Sequence, residues 1–87
     1  MERIYKYKLK NEWDQNIEML KGSKILTAQL QGDEICIWAM VDENNSNVNE
    51  KRNIVIIPTG TQIKYGDLKY IATVQQTVFV WHIFEAL

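Results

Sequence analysis

The candidates for acid–base or nucleophilic chemistry in this chain are its one histidine and its one cysteine. His82 is the single side chain that titrates near neutrality without help. A general base there needs a nucleophile or a second acid within reach. It stands instead between Val80 and Phe84 in an alternating apolar run, where protons exchange poorly. Cys36 would need His82 beside it to act as a thiolate nucleophile. It sits within Ile35-Cys36-Ile37-Trp38, the setting of a small buried hydrophobe. The two residues cannot supply the four ligands of a structural Cys/His zinc site. No catalytic residue and no metal ligand is assigned, no cofactor is expected, and the chain is not expected to be an enzyme.

Binding chemistry has more candidates. Asp42, Glu43, Asn44, Asn45, Asn47, Asn49 and Glu50 offer many oxygens. They lack the fixed spacing and the sharp glycine turn of a calcium loop. In Pro58-Thr59-Gly60-Thr61, Gly60 lets the backbone approach a ligand, and Thr59 and Thr61 could help cradle an anion. The motif lacks the lysine and following helix of a phosphate loop, and a plain turn explains it equally well. Arg3, Tyr5, Lys6, Tyr7, Lys8 and Lys10 interleave cations with rings, as single-strand or nucleotide binders do. An edge strand protected by lysines has the same pattern. Trp81 and His82 complete the candidate ligand-binding set of Arg3, Tyr5, Tyr7, Thr59, Gly60 and Thr61. Trp13 lies in the least regular apolar segment, and with Trp38 it is the candidate for a protein interface.

These residues must be positioned by a small scaffold. The chain of 87 residues is one domain. Of these residues, 46% are hydrophobic, which one small core does not hide easily. Self-association is one way to cover the surplus. Ten basic residues nearly balance eleven acidic ones, so a duplex nucleic-acid binder is not expected. No run approaches the roughly 18 apolar residues of a membrane helix. A start of Met1-Glu2-Arg3-Ile4-Tyr5-Lys6 is not a signal peptide, and the single cysteine fits a reducing cytoplasm.

Alternation dominates the pattern. Residues 3–9 read as a strand, with Arg3, Tyr5, Tyr7 and Leu9 on one face. Residues 11–20 fit a helix through Trp13, Ile17 and Leu20, and fit a short strand at Ile17 to Met19; the strand is preferred. Residues 24–31 and 34–41 form a hairpin about Gly32-Asp33. Residues 42–52 read as a mobile polar loop, and 53–57 as a strand stopped by Pro58. Residues 69–75 and 78–84 form a second hairpin. The strands at 34–41 and 78–84 are apolar on both faces, so both faces should be covered. The expected fold is mainly β, a small sandwich or partly closed barrel of six to seven short antiparallel strands with no long helix.

Six segments together run nearly end to end: Ile4-Tyr5-Lys6-Tyr7, Met19-Leu20-Lys21-Gly22-Ser23-Lys24-Ile25-Leu26, Cys36-Ile37-Trp38-Ala39-Met40-Val41-Asp42, Gly60, Tyr70-Ile71-Ala72-Thr73-Val74-Gln75 and Phe79-Val80-Trp81-His82-Ile83-Phe84-Glu85. In these the chain resembles a family of small uncharacterised proteins encoded by phages and prophages. It departs from that pattern at Leu20, where proline is frequent, at Ala72, where glycine is common, and at Pro58-Thr59-Gly60, where Gly-Thr-Gly stands. The last departure weakens the reading of that turn as a ligand cradle.

The resemblance implies a β-rich fold and a phage origin, and it transfers no site. Phage proteins of this size are often counter-defence factors. The expectation is a cytoplasmic, homo-oligomeric binding protein that inhibits bacterial immunity by sequestering a nucleotide-derived signal. The alternatives are an inhibitor or adaptor that caps a host defence protein, and a virion or DNA-packaging accessory protein.

Overall fold

Two antiparallel sheets pack face to face in the computed structural model, which describes residues 1–45 and 47–87. The first sheet has the order β1-β4-β3, from β1 (Glu2–Lys8), β3 (Lys24–Gln31) and β4 (Glu34–Asp42). The second has the order β2-β5-β7-β6, from β2 (Asp14–Leu20), β5 (Asn49–Pro58), β6 (Leu68–Gln76) and β7 (Phe79–Ala86). A short 3-10 turn at Glu43–Asn45 follows β4. The sheets do not close into a barrel, so the sandwich form of the expected fold holds, with seven strands among the described residues.

The period-2 pattern decides which side chains meet. Ile37 and Ala39 of β4 face inward, and so do Ile54 and Ile56 of β5 and Ile83 of β7. Leu9, Met19, Ala28 and Val74 complete the core. β3 and β6 each carry a register shift, at Ile25/Thr27 and Tyr70/Ala72. Bulges bend a strand and increase its twist. These two strands lie against each other where the sheets converge, and Gln76 Nε2 donates to the Asp33 carbonyl across that seam at 2.8 Å.

Within segment 11–20 the strand is β2, Asp14–Leu20, and it is longer than Ile17 to Met19. The apolar positions at helical spacing do not form a helix. Gln15 and Met19 are buried on the inner face, with half-buried Ile17 between them. The polar stretch 42–52 is shorter as a loop than its composition suggests. β5 begins at Asn49, pairing Leu20 with Asn49 and Ile17 with Arg52. Of the loop expectation, only the part that falls on Ser46 lies outside the described residues. β5 tolerates polar residues here because Arg52 meets a buried counter-ion. Its guanidinium donates through Nε and Nη2 to the Glu85 carboxylate, and through Nη1 to the Ser23 carbonyl at 2.7 Å. That pairing raises the Arg52 pKa above its ordinary value, against the opposing effect of desolvation.

The two doubly apolar strands are covered differently. In the second sheet β5 and β6 run the same way, with β7 between them. Segment 59–67 must therefore return along the outer face. It is tied there by Tyr65 Oη to Asp14 Oδ2 at 3.2 Å, and by the Leu87 amide to the Asp67 carbonyl at 3.0 Å. Val55 on that face is fully buried. On the first sheet, the outer residues Cys36, Trp38 and Met40 lie between Lys8, Lys6 and Ile4 of β1 and Gln29, Thr27 and Lys24 of β3. Cys36 is buried there, Trp38 and Met40 are half-buried, and Ile4 and Leu26 are exposed.

Removing one partner of a buried ion pair leaves the other charge uncompensated. Glu85→Gln and Arg52→Ala are each expected to destabilise the fold by about 3 kcal/mol in urea denaturation. The apolar pair Arg52→Met with Glu85→Leu should cost much less.

Candidate functional site

Opposite the Arg52–Glu85 pair, the sandwich opens into an aromatic cleft. The end of β1, the β1–β2 loop, the β3–β4 turn and the β6–β7 turn meet here around a cavity of about 370 Å³. Its floor is the core itself, through Leu9, Ile35 and Ile56. Three rings form one wall. Phe79 stacks on Trp81 with centroids 5.2 Å apart, and Trp13 meets Trp81 edge to face at 5.4 Å. Trp13 is 56% exposed and Phe79 is 54% exposed, so each keeps ring surface free. Lys10, Asn11, Glu12, Asp33 and Gln76 supply the polar lining.

The rings are held from behind. The Trp13 carbonyl accepts from the Ile56 amide at 2.8 Å. The buried Gln15 amide clamps the preceding loop: Oε1 accepts from the Lys10 amide, and Nε2 donates to the Lys10 and Glu12 carbonyls. Gln76 fixes Trp81 by accepting from its indole N–H at 2.9 Å. Thr77, at the first turn position after β6, has φ of 52°, a strained conformation for a β-branched residue. Such fixed positions reduce what a ligand must order on binding. The site is therefore suited to stacking and hydrogen bonding.

The expected ligand residues do not converge. Only Trp81 lines the cleft, joined by Trp13 from the expected interface pair. Arg3 and Tyr5 lie toward the other end of β1, where both bond Glu43, at 2.5 and 2.9 Å. Tyr7 packs half-buried against the core, and burial raises its phenol pKa. Thr59, Gly60 and Thr61 form a turn in which the Thr61 amide reaches the Pro58 carbonyl at 3.2 Å and Gly60 has φ of 88°. Those are the marks of a type II turn. A side chain added at Gly60 would meet nothing within 4 Å, so no cradle surrounds it. His82 Nε2 and Nδ1 bond the hydroxyls of Thr59 and Thr73, at 2.7 and 3.1 Å. It stands on the outer face of the second sheet, and Cys36 on that of the first, so the fold keeps them apart. Trp38 is on the same outer face as Cys36, remote from the cleft.

The model of a domain of unknown function, DUF7352, matches residues 1–87. The chain belongs to that family. No curated protein and no solved structure matches it significantly. The family description assigns no activity, so the chemistry of the DUF7352 cleft rests on its own residues. Sequence reasoning missed Phe79, Gln15 and Gln76 as site residues. Phe79 reads as the core-facing partner of Trp81 and Ile83, and only the turn at Thr77 and Val78 places it at the open rim.

The Arg3–Tyr5–Glu43 cluster has a measurable signature. Its hydrogen bond from Tyr5, and then Arg3, hold the Glu43 carboxyl below its ordinary value of 4.5. A lowered carboxylate pKa stabilises the fold above the unfolded value, and that contribution is lost as pH falls through the folded value. Carboxyl-carbon NMR titration should show Glu43 ionising below 4.5. Tyr5→Phe should move it upward, with less loss of stability on acidification.

Proposed function

We propose that this domain is a binding protein that seats a small ring-bearing ligand, derived from a nucleotide, in the cleft of Trp13, Phe79 and Trp81. The carrying observation is the fixed aromatic wall over an apolar floor at one end of the sandwich. Stacking of a base on a protein ring contributes about 1–3 kcal/mol, enough with a few hydrogen bonds for micromolar affinity. The biological setting in this reading is a phage protein that sequesters an immune signal in the infected cytoplasm. That setting rests on the family resemblance alone. No helix among the described residues is long and apolar enough to cross a membrane.

The test is calorimetry and indole NMR against cyclic nucleotides, ADP-ribose and simple nucleosides. Binding with shifts at Trp13 and Trp81 is expected, and Trp13→Ala should weaken it at least tenfold. Silence across the whole panel defeats the proposal. A second reading, capping of a host defence protein, is favoured by Val78 and Phe79 at the rim, 88% and 54% exposed. A Phe79→Ala variant that loses a stoichiometric host partner while the ligand panel stays silent selects that reading.

Homo-oligomerisation is part of the proposal. The outer face of the first sheet, with Ile4, Leu26, Trp38 and Met40, is the surface that a second copy would cover. Sedimentation is expected to give an oligomer that Met40→Glu dissociates; a monomer at high micromolar concentration removes this part.

A further inference from the structure

The charge and the hydrogen-bonding state of the cleft point to which part of a ligand enters it. This step rests on the binding function proposed above. The lining holds one cation, Lys10, against two carboxylates, Glu12 and Asp33. The neighbouring Lys8 ammonium is engaged by Glu34. Some donors at the wall are already committed, and the unengaged ones are the Lys10 ammonium, the Asn11 amide and the Trp13 indole N–H among the described residues. The Trp81 indole N–H is bonded to Gln76, and the Gln76 amide N–H to the Asp33 carbonyl. The Gln15 amide is consumed by the loop backbone. Among the described residues, no hydrogen bond or ion pair uses the carboxylate of Glu12 or Asp33.

The cleft therefore presents rings and free acceptors, with a local excess of negative charge. A phosphate would meet two carboxylates against the single ammonium of Lys10. A ring carrying N–H groups would meet those carboxylates as acceptors. We infer that the cleft selects the uncharged aminopurine end of a ligand, with its exocyclic amine donating to Asp33 or Glu12, its ring stacked on Trp13 or Phe79, and any phosphates left in solvent. Charge-assisted hydrogen bonds of this kind are stronger than neutral ones. Repulsion between the carboxylates and a nearby phosphate is modest in water and screened by salt.

The experiment compares adenosine, ADP and purine riboside, which lacks the amine, by tryptophan fluorescence on the full chain. At low salt adenosine should bind about threefold more tightly than ADP, and added salt should close that gap. Purine riboside should bind about tenfold more weakly than adenosine. In the Glu12→Gln, Asp33→Asn double variant the preference over ADP should vanish. Tighter binding of ADP than adenosine by the unaltered protein overturns the inference while leaving the binding function intact. Equal binding of purine riboside and adenosine does the same, as does a ratio that neither salt nor the double variant moves. No binding by any nucleoside or nucleotide overturns both. The salt series needs no variant, so a double variant that failed to fold would leave the inference decidable.

Discussion

A guanidinium and a carboxylate in the interior have to find each other, and in this domain Arg52 and Glu85 do so between the sheets. Glu85 is 6% exposed, and an unpaired carboxylate at such a depth is strongly disfavoured. Arg52 answers it in a bidentate pair and spends a further N–H on the Ser23 carbonyl. That carbonyl belongs to the turn that carries the chain from the second sheet to the first. One side chain thus joins β5, β7 and the β2–β3 crossing. The pair ties β5 to β7 within the second sheet, and the bond to Ser23 ties both to the turn that enters the first sheet.

At the other end aromatic rings line an open cleft instead. Trp81 is packed between Trp13 and Phe79, and core side chains lie beneath them. The loops here are short or pinned, so the cavity is a consequence of how β1, β3 and β6 terminate. The same sandwich is sealed by an ion pair at one end and left open over aromatic surface at the other. Its recognition chemistry lies at the loop end of a rigid scaffold, a common division of labour in β domains.

Much of this was legible in the residues. The period of two gave the strands, and Gly32-Asp33 gave the first hairpin with Gly32 at φ of 64°. The doubly apolar strands β4 and β7 foretold two packed layers. The start of β5 was hidden, because Asn49 to Asn53 is polar and its strand character comes from pairing with β2 and from Glu85, far along the chain. The cleft was only half visible. Trp81 and Trp13 were candidates for different roles, and nothing local says that residues so far apart share a wall. Arg3 and Tyr5 had the right composition for a ligand surface, but their nearest partner is Glu43, which composition cannot place.

The strand order of the second sheet has a kinetic consequence. β7 lies between β5 and β6 although it follows both in the chain. Neither neighbour can complete its ladder until β7 inserts, and β7 also brings Ile83 and the counter-ion of Arg52. During synthesis, Arg52 therefore emerges long before its carboxylate, and the apolar residues of β5 wait with it. Assembly of this sheet is a late, non-local event, of the kind that slows folding and lengthens the life of exposed strand edges.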